Sequence, residues 1–224
     1  MITLLRDLST GLLNLLYPPL CETCQQKINT EKDKIPLCKN CLTKLKALKP
    51  QPIAQYDHVR VWSVCGYEGL VKDCVHIFKY NNRQMLSAPL ADLMSRFTNE
   101  NLLDKKFDII VPIPLHRSKM RERGFNQAEL LAKDLAKAIN TPVCANALKR
   151  IKPTISQTGL SKTKRFTNLR GAFKIDDNNV IYAKSILLID DVCTTGSTLD
   201  EAAKILLKSG AKSVKALVFA KGIQ

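Results

Sequence analysis

Ile186-Leu187-Leu188-Ile189-Asp190-Asp191-Val192-Cys193-Thr194-Thr195-Gly196-Ser197-Thr198 joins a buried strand, two carboxylates and a phosphate-sized turn in one short stretch. Four consecutive branched apolar residues predict a strand buried on both faces, as in the middle of a parallel sheet with helices on each side. Ligands bind at the carboxyl ends of such strands. There the chain turns through Thr194, Thr195, Gly196 and Ser197. Thr198 then opens a helix whose apolar residues Leu199, Ala202, Ala203, Leu206 and Leu207 recur at helical spacing. Unpaired amides at the helix start, a glycine that permits close approach and the neighbouring hydroxyls make a cradle for a phosphate monoester. Adjacent carboxylates just before it suit vicinal hydroxyls, so the stretch reads as a site for a 5-phosphorylated ribose. The alternative is an acidic turn between a core strand and a helix capped by Ser197 or Thr198. An ordinary cap needs neither the doubled acid nor the glycine.

Outward from this motif, the chain alternates between strand and helix patterns. A proline-containing linker at 50–52 precedes an extended segment at 58–67, then helices at 70–79 and 86–97. A second short apolar strand, 107–112, ends in prolines and leads through a basic loop at 114–127. The next helix has the apolar face Ala128, Leu131, Ala132, Leu135 and Ile139, and the closing strand is 213–220. Strand-helix alternation of this kind implies right-handed crossovers and an open parallel sheet flanked by helices, an α/β domain over 53–224.

Residues 1–50 form a separate module. Cys21-x-x-Cys24 and Cys38-x-x-Cys41 can present four thiolates to one ion, the closed tetrahedral set that structural zinc prefers, as in a zinc ribbon. A redox dithiol pair or surface cysteines without a ligand are the alternatives, but a redox motif is not duplicated at this spacing. The surrounding lysine-rich segment is too poor in large apolar groups to fold without the metal, whose binding typically supplies ~10 to 16 kcal/mol. The remaining cysteines, Cys65, Cys74, Cys144 and Cys193, show no framework spacing, so a reducing, cytoplasmic compartment is expected. The leucine-rich start is broken by Arg6, Asp7 and Asn14 and lacks a small-residue cleavage site, so it is read as a docking helix. No apolar run approaches the ~20 residues of a membrane span. Neither a Walker A sequence nor a Gly-x-Gly-x-x-Gly run is present, which removes support for nucleotide hydrolysis and dinucleotide redox chemistry.

The net charge is +15, and residues 115–170 hold thirteen Lys or Arg against three Asp or Glu. A ligand with several phosphates needs such cations, as does a nucleic-acid backbone. Much of this charge sits in a long polar segment, 150–173, and loops of that length in a compact domain are lids or disordered connectors.

The Asp190-Asp191 stretch closely resembles the signature of type I phosphoribosyltransferases. The resemblance implies that Asp190 and Asp191 take the ribose 2- and 3-hydroxyls of phosphoribosyl pyrophosphate, and Thr194 to Thr198 its 5-phosphate, with Mg²⁺ accompanying the ligand. Leu16-Tyr-Pro-Pro-x-Cys-x-x-Cys24, Val111-Pro-Ile-Pro-Leu-His-Arg117, Arg121-Glu-Arg-Gly-Phe-Asn-Gln127, Gln157-Thr-Gly-Leu-Ser161 and Asn168-Leu-Arg-Gly-Ala-Phe173 extend the likeness. Together they resemble the ComF family of bacterial competence proteins, which are associated with the uptake of external DNA and pair a zinc ribbon with a phosphoribosyltransferase-type domain. By that similarity His116 and Arg117 hold pyrophosphate, and Lys164, Arg165 and Asn168 belong to a mobile hood.

Two functions fit. In one, the protein transfers a phosphoribosyl group to an unspecified acceptor. In the other, it is a non-catalytic adaptor that binds single-stranded DNA within the competence machinery and keeps the ligand site as a sensor. Lys162 and Phe166 are then candidates for backbone and base contacts.

Overall fold

The computed structural model describes residues 18–28, 35–80, 84–102, 106–153 and 169–222. The leucine-rich start, and the expectations placed on Lys162, Lys164, Arg165, Phe166 and Asn168, lie outside these residues. The chain forms two compact units, Met1–Ala47 and Leu48–Gln224.

In the first unit, helix α1 (Lys39–Lys46) starts at Cys38, whose sulfur accepts the Cys41 amide hydrogen at 3.4 Å. The helix thereby sets both cysteines of the second Cys-x-x-Cys pair in its first turn.

The second unit is built on a five-stranded sheet. Its strands in chain order are β1 (Gln51–Gln55), β2 (Arg60–Gly66), β3 (Ile109–Pro112), β6 (Ser185–Cys193) and β7 (Ser213–Lys221), and their spatial order is β1-β2-β7-β6-β3. All pairings are parallel except β1 with β2. Pro52, expected in a linker, therefore lies in an edge strand. A proline is tolerated there because only one side of the strand needs its amides. Strands β4 (Lys149–Arg150) and β5 (Phe173–Lys174) form a separate antiparallel ladder.

Helices cover both faces. Ile186 and Leu188 of β6 pack with Val214, Ala216 and Val218 of β7 against Leu199, Ala202, Ala203 and Leu206 of helix α6 (Ser197–Lys208). By the period of two, Leu187, Ile189, Leu217 and Phe219 turn to the other face. There α3 (Ser87–Asn101) and α5 (Gln127–Ile139) pack on the sheet and on each other. This is the expected parallel sheet flanked by helices. Helix α2 (Gly69–Tyr80) follows β2, with Val71, Cys74, Val75, Ile77 and Phe78 buried.

The basic loop after β3 is partly helical. Helix α4 (Arg117–Arg123) is capped by His116, which accepts the Ser118 amide hydrogen, and it ends at Gly124 in the left-handed conformation. Four of its seven residues are Arg or Lys and none is buried, so no apolar period announces it.

Candidate functional site

β6 delivers the acidic pair and α6 receives the turn after it. Helix α6 begins at Ser197, one residue before the position expected from the sequence, with Gly196 at its N-cap. A glycine cap brings no side-chain acceptor to the first-turn amides, which remain available to an anion. The Thr195 and Ser197 hydroxyls lie 3.0 Å apart beneath the turn, while Thr194 is exposed. A shallow, open hollow is lined by Asp190 and by Val192 through Leu199. The structure thus brings Asp190 and Thr194 to Thr198 around one concavity.

Gly196 has φ +76°, and a Cβ there would lie 2.1 Å from Cζ of Tyr56. The Tyr56 ring packs on the glycine, and its hydroxyl lies 3.6 Å from Sγ of Cys193. Two residues on, His58 donates its backbone N–H to Oδ1 of Asp200 at 2.7 Å, and its Nδ1 lies 3.0 Å from Oδ2. The turn between β1 and β2 therefore touches Cys193, the middle of the phosphate-sized loop at Gly196, and the first turn of α6.

The two aspartates differ. β6 continues to Cys193, so both lie within the strand rather than beyond it. Asp191 is 7% exposed, and its Oδ2 lies 2.7 Å from Nζ of Lys79, at the end of α2. Its Oδ1 accepts the Val192 amide hydrogen at 2.8 Å. Asp190 keeps part of its surface accessible, yet protein atoms crowd its carboxylate, whose Oδ1 accepts the Asp191 amide hydrogen at 2.9 Å. Burial first, then the Asp191 charge, push the Asp190 carboxyl up to about 7 against the opposing pull of Lys79 and Arg150. Burial works against charge on Lys79, but Asp191 and then Asp190 outweigh it and raise its pKa. Arg150, on β4, stands over the Phe173 ring at 5.7 Å and feels the Asp190 charge; burial lowers its pKa.

Pro112 of β3 pairs in parallel register with Ile189 of β6, and the Ile113 amide donates to the Ile189 carbonyl at 2.9 Å. The chain leaving β3 through His116 and Arg117 therefore emerges at the same end of the sheet as the acidic pair. His116 is half-buried and Arg117 exposed. Arg150 and Phe173 close a ladder that joins the two ends of the basic segment. Beyond the ladder, the Gly171 amide donates to Glu201 of α6 at 2.8 Å.

Lys79, Arg150 and Tyr56 escaped the sequence reading. Lys79 leaves a trace: with Val71, Cys74, Val75 and Phe78 it completes the i, i+3, i+4, i+7, i+8 stripe of a core-facing helix. A lysine on that stripe requires a buried partner charge. Tyr56 stands in a turn, where no period marks it.

In the other unit, the sulfurs of Cys21, Cys24, Cys38 and Cys41 all lie within 4.8 Å of one another. Cys24 and Cys38 sulfurs are 3.5 Å apart, too far for a disulfide and close to the ~3.8 Å edge of a tetrahedron with Zn–S bonds of ~2.3 Å. The Thr23 hydroxyl donates to the Cys41 sulfur at 3.1 Å and lies 3.2 Å from that of Cys21. Burial opposes ionisation of Cys21, but Thr23 and the backbone amides of Cys38, Cys24 and Thr23 overcome it and bring the thiol down to about 6.

A family model described as a phosphoribosyl transferase domain matches residues 80–224. Over nearly its whole length the chain is also similar to Competence protein F of Haemophilus influenzae, with 31% identity over 217 residues, 92% of this chain and 91% of that protein. The chain belongs to the ComF family. A further relative, the DNA utilization protein YhgH of Escherichia coli, is 29% identical over 88% of this chain and 87% of its own length. Among solved structures, adenine phosphoribosyltransferase from Saccharomyces cerevisiae is 16% identical, covering 83% of this chain and 90% of that one at a TM-score of 0.41. Among the described residues, no helix of this ComF-family chain is long and apolar enough to cross a membrane.

Proposed function

We propose that this protein binds phosphoribosyl pyrophosphate in the hollow after β6 and serves DNA uptake, the role that the names of its competence and DNA utilization relatives point to. The observation that carries the reading is the hollow itself. A carboxylate, a glycine turn and a helix start with free amides converge on it within ten residues of chain, Asp190 to Leu199. In this reading Asp190, which lines the hollow, serves the ribose hydroxyls with Asp191 behind it, and Thr194 to Thr198 serve the 5-phosphate. His116 and Arg117 meet the pyrophosphate, and the segment holding Lys164, Arg165 and Asn168 covers the site.

Asp190 offers hard oxygen donors of the kind Mg²⁺ takes, and Mg²⁺ bound there with the ligand would supply positive charge to the departing pyrophosphate. The chain's own cations and amides hold the phosphates in place and exclude water, which is most of what a phosphoribosyl transfer to an acceptor needs. In the first unit the four cysteines hold structural zinc. The eight cysteines, none in a disulfide, support a cytoplasmic setting.

A second reading, a DNA-binding adaptor using the ligand site as a sensor, is favoured by the excess of thirteen cations over three carboxylates in residues 115–170. It makes single-stranded DNA and other competence proteins the partners, with Lys162 and Phe166 on the DNA. Calorimetry with phosphoribosyl pyrophosphate and Mg²⁺ tests the site: saturable binding is expected, and it should be lost in D190N/D191N. Equal affinity in parent and variant would sink the assignment. Pyrophosphate release with a candidate acceptor separates the enzyme from the adaptor, which would bind DNA in a salt-sensitive way without turnover.

A further inference from the structure

We propose that Lys79 is a built-in counter-ion of the ribose site, holding Asp191 in place behind Asp190 so that the acidic pair accepts a ribose phosphate without a divalent cation. The inference rests on the proposed ligand site and divides the labour within it. Asp190 lines the hollow, whereas Asp191, its neighbour on the strand, does not. Oδ2 of Asp191 lies 2.7 Å from the Lys79 ammonium, its ion-pair partner, and Oδ1 accepts the Val192 amide hydrogen at 2.8 Å. The ion pair is well shielded, with side-chain exposures of 19% for Lys79 and 10% for Asp191. Two adjacent carboxylates in such a place repel each other and any incoming phosphate unless a cation is built in.

Lys79 is fixed for that task. It lies in the last turn of α2, where the helix dipole favours a cation, and the buried Val75 and Phe78 anchor that turn in the core. The Arg123 charge opposes that of Lys79. Its guanidinium donates to Gln127 at 3.1 Å and stands over the Tyr80 ring at 5.3 Å, so it has partners of its own. Lys79 is a positioning residue by this account: it acts on the ligand through Asp191.

The test uses ribose 5-phosphate, titrated calorimetrically into the full-length protein in EDTA and again with Mg²⁺. The parent should bind in both buffers with similar affinity. Lys79→Met keeps the length of the side chain but leaves Asp191 uncompensated. It should lose about tenfold in EDTA, the scale of one charge-assisted contact, and recover in Mg²⁺. Lys79→Arg should remain close to the parent in EDTA. Undiminished binding by Lys79→Met in EDTA, or a loss that Mg²⁺ does not restore, overturns the counter-ion role.

Absence of binding by the parent in either buffer would instead count against the ligand site. For that case a ligand-free measurement decides Lys79. The melting temperatures of K79M, D191N and the double variant should show the double melting no lower than K79M alone, because its remaining partner no longer carries a charge. Additive losses would show that the two side chains are not coupled, and would overturn the inference whatever the ligand does.

Discussion

Gly196→Ala would put a methyl where the Tyr56 ring already sits. The new Cβ would lie 2.1 Å from Cζ and 2.2 Å from Cε1 of Tyr56, far inside the ~3.5 Å at which carbon atoms first attract. Forcing an extra methyl into a packed site typically costs ~1 to 3 kcal/mol. The backbone adds to this, because φ of +76° in a non-glycine residue costs a further ~1 to 2 kcal/mol. Urea unfolding should therefore show a loss of ~2 to 5 kcal/mol for G196A. The two contributions separate in a double-mutant cycle. Tyr56→Ala removes the clashing ring, so G196A/Y56A should be less destabilised than the sum of the singles by ~1 to 3 kcal/mol. Tyr56→Phe keeps every ring carbon and gives no such relief. Additivity of G196A and Y56A within ~0.5 kcal/mol would refute the contact between the β1–β2 turn and the phosphate-sized loop.

Cys38→Ser should lower the zinc content measured by atomic absorption and loosen the first unit, while the circular dichroism of the sheet unit persists; one retained equivalent of zinc would contradict a four-cysteine site. The Asp190 carboxyl is raised from 3.8 to about 7, so between these values the folded protein binds more protons than the unfolded chain. Stability should fall as pH rises through that window, and Asp190→Asn should flatten the fall and melt higher than the parent at alkaline pH; parallel melting profiles would refute this. If the basic segment tracks DNA, neutralising Lys162, Lys164 and Arg165 together should flatten the salt dependence of single-strand binding, each lost phosphate contact removing roughly 0.7 from the slope. An unchanged slope would move the DNA surface elsewhere.

β6 and α6 are legible because burial on both sheet faces demands an unbroken apolar run, and the helix repeats its apolar residues at Leu199, Ala202, Ala203 and Leu206. The Asp190-Asp191 pair and Gly196 stand out for the same reason: they interrupt those patterns with residues a simple turn does not need. The strand order is not legible. Nothing local to residues 213–221 says that the last strand inserts between β2 and β6, since that depends on pairings distant in sequence. β1 was hidden by Pro52, which argues against a strand except at an edge. The seven-residue α4 was hidden by its lack of any buried side chain. Lys79 was overlooked because charge on a helix is read by default as solvated, although its place on the apolar stripe of α2 carried the contrary signal. The difference between Asp190 and Asp191 needs the Lys79 contact and cannot be inferred from two identical letters.

A crystal structure of the protein with phosphoribosyl pyrophosphate and Mg²⁺ tests the central claim most directly. The account predicts the 5-phosphate against the amides at the start of α6, between Thr194 and Thr198, the ribose hydroxyls on Asp190, and Lys79 still paired with Asp191. A ligand bound away from the hollow after β6, or one whose phosphate leaves those amides unengaged, would contradict it.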